Sequence, residues 1–211
     1  SVFKQWEKGA ELATGDLIWM AEADDLATPD FLKKLADLFI KEQELVLAYS
    51  QSKQIDQDGK LLSNDYLQYT ADLGTYWEQD YIVEGQVEIK RGLCVKNTIP
   101  NVSGALINRV AFKKSIENLK SSLSEYKVAG DWLIYVDLLK KGKVGFIAES
   151  LNLHRRHVSS VTKANDHMEE IEKIQRYSSN LVEIPEEMME KVSNYNKALE
   201  VHFSGKNEKD S

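Results

Sequence analysis

Apolar residues recur at helical spacing over the first 13 positions, where Val2, Phe3, Trp6, Ala10 and Ala13 share one face, and Gly15 stands where that helix can end. An unbroken apolar run follows: Leu17, Ile18, Trp19, Met20 and Ala21. Bounded by turn residues, it predicts a short strand covered on both faces, as in a parallel α/β sheet. Thr28 and Pro29 then predict a helix start, as N-cap and first helical position, and Phe31, Leu32, Leu35, Leu38 and Phe39 carry its apolar stripe towards residue 41. Residues 45–49 read as the next strand. Asp56, Asp58 and Gly59 read as a turn. A calcium loop with its glycine at 59 would begin on Gln54 and close on Asp65, the wrong residue types at both ends.

Periodicity fades over residues 63–100, where Tyr66, Tyr69, Tyr76, Trp77 and Tyr81 alternate with Asp72, Glu78 and Asp80. Such rings can stack on sugars, or they can cover an irregular segment with their hydroxyls as polar handles. Pro100 and Gly104 punctuate residues 96–112, with a strand predicted at 105–107 and a helix from 110. Leu133, Val136 and Leu139 mark a helix within 128–142, ended by Lys140, Lys141 and Gly142, and Asp131 falls in its first turn or at its cap. A strand at 144–148 leads into a basic quartet, His154, Arg155, Arg156 and His157, within residues 151–162. Met168, Ile171, Ile174 and Tyr177 predict one further helix, and Pro185 opens another with Glu186 and Glu187 in its first turn. A polar tail, expected to be disordered, runs from Gly205. The change in character after Lys163 divides the chain into residues 1–163 and a helical extension and tail at 164–211.

Composition narrows the function. With 211 residues the chain can bury a substantial core, and a net charge of −7 argues against a surface built to neutralise nucleic-acid phosphates. Cys94 is the single cysteine, so no internal disulfide is possible and a reducing compartment is compatible. No apolar run approaches the ~20 residues that span a bilayer, and Ser1 begins no signal-peptide pattern. These features predict a cytoplasmic protein, peripheral at most to the inner face of a membrane.

The chemistry begins with Glu22, Asp24 and Asp25 at the end of the first strand, where open α/β sheets bind ligands. Three acids in four residues repel one another unless a cation joins them, and oxygen ligands of this kind suit magnesium or manganese bridging to phosphates. The plain alternative is a solvated loop at a helix start. The stretch GDLIWMAEADD followed by TPDFL resembles the Asp-x-Asp segment of the family-two glycosyltransferases of the GT-A fold, and with the later motifs the resemblance covers residues 1–163. It implies an α/β architecture, a Rossmann-like mixed sheet flanked by helices, here missing its N-terminal βα units because the chain starts inside a helix. It also implies an inverting transfer of a sugar from a nucleotide-diphosphate donor to a hydroxyl acceptor, a saccharide or similar, in cell-envelope polysaccharide synthesis.

The resemblance further assigns roles. Asp25, supported by Asp24 and Glu22, holds the divalent cation, and His157, better matched than His154, completes its ligands. Arg155 or Arg156 meets the diphosphate. Asn101, Ser103 and Gly104 lie beside donor and acceptor. Asp131 is the general base, a role in which its helix-start position would lower its pKa while burial would raise it. Glu22 departs from the family, where many relatives carry Asp. Two other readings stand beside this one: a catalytically silent half-domain or interaction module, and a nucleotidyltransferase, which would need a glycine-rich phosphate loop with a lysine near the start; none is seen. An apolar face left open by a shortened sheet predicts self-association.

Overall fold

The computed structural model describes residues 2–157 and 164–207. In it, seven strands form one mixed sheet in the order β1–β6–β3–β7–β2, with β4 added to β3 and β5 to β7. The strands are β1 (Leu17–Trp19), β2 (Leu26–Ala27), β3 (Leu45–Ile55), β4 (Leu61–Ser63), β5 (Tyr81–Glu84), β6 (Ala105–Asn108) and β7 (Lys143–Arg155). β6 lies antiparallel to both β1 and β3, whereas β3 and β7 are parallel. So β1, β3 and β7 all point one way, and their C-terminal ends meet at one edge.

This corrects the expectation for β1. Its pairing neighbour is antiparallel, and only Ile18 of its three residues is buried. A short apolar run reports burial but not the direction of its partner. β3 and β7 are also longer than their apolar cores predict. They pair from Leu45 with Lys143 to Ile55 with Arg155, across register shifts around Gln51.

Helices cover both faces. On one side α2 (Phe31–Lys41) seats Phe31 and Leu35 against Leu45, Ala48, Leu106, Ile147 and Leu151. It starts two residues later than predicted, because the Thr28 N–H donates to the Leu151 carbonyl at 2.9 Å and ties that residue to the sheet edge; Asp30 is the N-cap. The irregular middle holds α3 (Leu67–Thr70) and α4 (Gly85–Glu88), the latter running into a π-helical turn at Ile89–Leu93. Of its rings Trp77 is buried, whereas Tyr69 and Tyr76 stay exposed. Trp77 donates to the Tyr49 hydroxyl at 2.9 Å, while buried Glu88 accepts from the hydroxyls of Tyr49 (2.8 Å) and Tyr81 (3.1 Å).

The opposite face carries the main core. There α1 (Val2–Leu12), α5 (Arg109–Leu123) and α6 (Gly130–Leu139) pack with α7 (Ala164–Leu181) and the start of α8 (Glu186–Asn207). Ile171, Ile174, Val182 and Met188 belong to the same cluster as Leu47, Ile107 and Val136, so the boundary at 163 marks a change of secondary structure within one core. The tail expected from Gly205 is helical through Asn207, carried on by a helix of 22 residues already formed; residues 208–211 lie outside the described residues. No helix among the described residues is long and apolar enough to cross a membrane.

Candidate active site

The acidic loop is pinned from below by the turn before β6. The Trp19 indole donates to the Ser103 carbonyl at 2.8 Å, and the Glu22 N–H donates to the Ser103 hydroxyl at 2.9 Å. Asp25 then folds back onto β7. One of its oxygens accepts the Arg155 N–H at 2.7 Å and the other accepts the Asn101 side-chain amide at 2.6 Å. Asn101 also donates to Asn152 at 3.0 Å, Ser52 donates to Asn152 at 3.1 Å, and Asn152 donates to the Leu26 carbonyl at 3.1 Å. Asn101, Ser52 and Asn152 are all buried. A Cβ at Gly104 would lie 3.0 Å from the Asn101 amide oxygen and 3.2 Å from the Ser52 hydroxyl, so glycine there leaves room for this network.

Asp24 points the other way, to His157, whose Nε2 lies 2.7 Å from its Oδ2. That hydrogen bond is the main reason the Asp24 carboxyl is held below the usual aspartate range. Arg155 is committed to backbone: its guanidinium donates to the carbonyls of Asp24 (2.8 Å), Asp56 (2.6 Å) and Gln57 (3.1 Å), stapling the acidic loop to the turn after β3. Arg156 is exposed, with its N–H on the Ile55 carbonyl at 2.8 Å and its side chain beside the Tyr66 hydroxyl. His154 stacks on Tyr66 and shares a 2.6 Å hydrogen bond with it, and burial pushes its pKa down towards the neutral ring. The end of the basic segment, residues 158–162, lies outside the described residues.

Asp131 sits in the first turn of α6, where Asn97 donates to it at 3.1 Å. It retains some solvent access while protein rings it, and burial raises its pKa to about 6 against the hydrogen bonds from Trp132 and Asn97. Of the two influences anticipated for this residue, burial prevails. Glu22 is raised as well, first by burial and then by Asp25, Asp24 and Asp131. The loop after β1 and the start of α6, over 100 residues apart in sequence, are therefore close enough for Asp131 to act on Glu22. One helical turn beyond Asp131 the Tyr135 hydroxyl is buried without a hydrogen-bond partner, and the charges of Asp131 and Glu22 add to burial in raising its pKa.

The predicted residues are thus brought together, with divided duties. Asp25, Arg155, Ser103 and Gly104 build the loop, whereas the side chains of Glu22, Asp24, His157, Arg156 and Asp131 have polar atoms to offer a ligand. Sequence reasoning missed Ser52, Asn97, Asn152 and Tyr135. Asn97, Tyr135 and Asn152 lay within segments already singled out, but their parts in the site, like that of Ser52, have no local signal, since each is defined by what packs against it.

For a divalent cation the donor set has suitable chemistry, carboxylate oxygen and imidazole nitrogen. Among the described residues no three His, Cys, Asp or Glu side chains form a ready cage. Asp24 and His157 provide two adjacent donors, and the remaining positions would fall to phosphate oxygens and water, the usual arrangement for magnesium. Asp25, the expected ligand, has both oxygens engaged. A hollow of about 620 Å³ between α1 and α5, lined by Glu7, Arg109, Lys113 and Lys120, lies apart from these groups.

A mixed sheet with helices on both faces and carboxylates at the converging ends of parallel strands defines an α/β domain of the GT-A kind. The Glycosyl transferase family 2 profile matches residues 2–114, and the chain belongs to that family. Two crystal structures of S. aureus TarS residues 1–349 share the fold. The first superposes with a TM-score of 0.57 at 11% identity, covering 97% of this chain and 52% of TarS. The second, in complex with UDP-GlcNAc, has a TM-score of 0.55 at 11% identity, covering 90% and 50%. The chain thus spans about half the length of these TarS structures. Among curated proteins none matches its sequence significantly.

Proposed function

We propose that this domain transfers a sugar, with inversion, from a nucleotide-diphosphate donor to a hydroxyl acceptor in cell-envelope polysaccharide synthesis at the cytoplasmic side. The observation that carries this reading is the hydrogen-bonded acidic loop after β1, with Asp24 on His157 and Asp25 on Asn101 and the Arg155 N–H, together with Asp131, raised to about 6, near enough to act on Glu22. At pH 7 and above Asp131 is mainly ionised and can take the proton of an acceptor hydroxyl as that oxygen attacks the anomeric carbon. The bond from that carbon to the diphosphate oxygen breaks on the opposite face, and the electron pair leaves with the diphosphate.

Asp24 and His157 would hold a manganese or magnesium ion, which when bound offsets the charge gathering on the leaving phosphates. Arg156, free of backbone duties on its side chain, is placed to meet the same phosphates. Glu22, whose carboxyl pKa is raised by burial and by Asp25, Asp24 and Asp131, would accept a hydrogen bond from a donor hydroxyl. The UDP-GlcNAc bound by TarS makes that nucleotide sugar the first donor to try.

Calorimetric titration of this chain with UDP-GlcNAc and UDP-glucose, with and without manganese, tests the reading. We expect manganese-dependent binding that Asp24→Ala abolishes and Asp131→Asn preserves. If no nucleotide sugar binds under any condition, the reading fails, and a non-catalytic interaction module takes its place.

A further inference from the structure

We infer that Glu170, on α7 and beyond the residues matched by the family profile, is a positioning residue for Asp131. The inference rests on the role proposed for Asp131. Glu170 is buried, and its carboxylate accepts three successive backbone N–H groups: Lys127 at 2.7 Å on one oxygen, Val128 at 3.0 Å and Ala129 at 2.7 Å on the other. Ala129 is the N-cap of α6, and Asp131 follows two residues later. Ala129 offers no side-chain cap, and Glu170 instead holds from another element the N-cap amide and the two amides before it, the turn that leads into α6.

The turn is gripped from its other side by α1. A Cβ at Gly130 would lie 2.3 Å from the buried Phe3 ring, so Gly130 and Phe3 fit together only because 130 has no side chain. Between Phe3 and Glu170 the backbone leading into Asp131 has little room to shift. A reacting carboxylate must be held to a fraction of an ångström, and a misplacement of 1 Å can cost about 100-fold in rate. A capping role alone would be met by a local Ser or Asp at 129. Glu170 does more, because its negative charge also lies close enough to Asp131 to raise the pKa of that carboxyl.

Asp131 is faced by Glu22 from the loop after β1, Asn97 from the segment before β6, Tyr135 from its own helix and Glu170 from α7. Glu170 in turn is faced by His167 on α7 and by Tyr126 and the Lys127 N–H before α6. Removing the Glu170 charge and loosening the turn both act in the same direction, lowering the pKa of Asp131.

The test is carbon-13 NMR titration of the Asp131 carboxyl in this chain, with amide exchange at Lys127, Val128 and Ala129, in wild type, Glu170→Ala and Glu170→Gln. Gln keeps the shape and one acceptor oxygen, so it remains informative if Ala does not fold. We expect a wild-type midpoint at about 6, a lower midpoint in both variants, and exchange at the three amides faster by about tenfold or more. In a transfer assay, kcat should fall about tenfold with KM little changed, and the acid limb of the pH–rate profile should move down. An unchanged Asp131 midpoint overturns the proposal, since faster exchange alone is what an ordinary cap would give. The NMR readout needs no donor, so the hold of Glu170 on Asp131 is judged separately: an inactive chain sinks the transferase reading, and an unchanged midpoint sinks this one.

Discussion

At Asp131 two opposing influences act on one carboxyl. The start of α6 favours its charge, and burial opposes it and wins, lifting the pKa from 3.8 to about 6. Because the folded pKa is the higher one, the folded state binds more protons in that interval. The contribution to stability is fully present below pH 3.8 and is lost as the pH rises through about 6. An asparagine keeps the shape and the Asn97 contact without the charge. Asp131→Asn should therefore stabilise the protein at pH 8 by about 1–2 kcal/mol, the shift being discounted for partial solvent access, and by much less at pH 4. Urea melts at the two pH values decide it: a variant no more stable at pH 8 than at pH 4, relative to wild type, contradicts the burial argument. The position of Asp131 was legible in the sequence, while the winner of the contest was not, because burial is contributed by distant elements. The same holds for Asp24 and Asp25. They lie at a turn closed by the Asp25 N–H on the Glu22 carbonyl at 3.3 Å, and nothing local says which faces His157 and which faces Asn101.

Elements with a repeating apolar stripe were readable. α1, α2, α6 and α7 all lie where their spacing put them, within the usual uncertainty at their ends. β7 was not readable as one strand, since Glu149, Ser150 and Asn152 interrupt its apolar run. Those polar residues sit where the pairing with β3 shifts register, and Asn152 is needed there to join Asn101 and Ser52 behind Asp25. α4 and the π turn after it have no stripe at all. What sets β7 in place is the turn from α6. Gly142 has φ +92°, its carbonyl accepts the Gly85 N–H at 2.9 Å, and a Cβ there would lie 2.6 Å from a Val46 methyl and 3.0 Å from the Glu44 carbonyl. Gly142→Ala combines a strained backbone with overpacking and should cost about 2–3 kcal/mol. A chemical-denaturation loss below about 0.5 kcal/mol would show that the turn relaxes freely and does not set the strand.

At the scale of the molecule, the question is whether the helical C-terminal region is an appendage or part of the folding unit. Besides its apolar residues in the main core, α7 reaches across with Gln175 to the Val95 carbonyl at 2.9 Å and with the Tyr177 hydroxyl to buried Asp137 at 2.6 Å, and Gln175 exchanges two 2.9 Å hydrogen bonds with Asn196 on α8. Pulling these helices away would take the Tyr177 hydroxyl from Asp137 and the Glu170 carboxylate from the amides of residues 127–129, and would uncover the apolar core residues that α7 packs against. Folding should therefore be one cooperative event. The sequence supplies a clean way to see it, because the tryptophans, Trp6, Trp19, Trp77 and Trp132, all precede residue 163, whereas α7 and α8 contribute 18 and 22 residues of helix to the far-ultraviolet signal. Urea transitions followed by tryptophan fluorescence and by circular dichroism should coincide. If helix is lost at lower urea than fluorescence changes, α7 and α8 unfold on their own. Coincident curves bind the turn before Asp131 and the C-terminal helices into one unit, so a substitution on α7 would still reach Asp131.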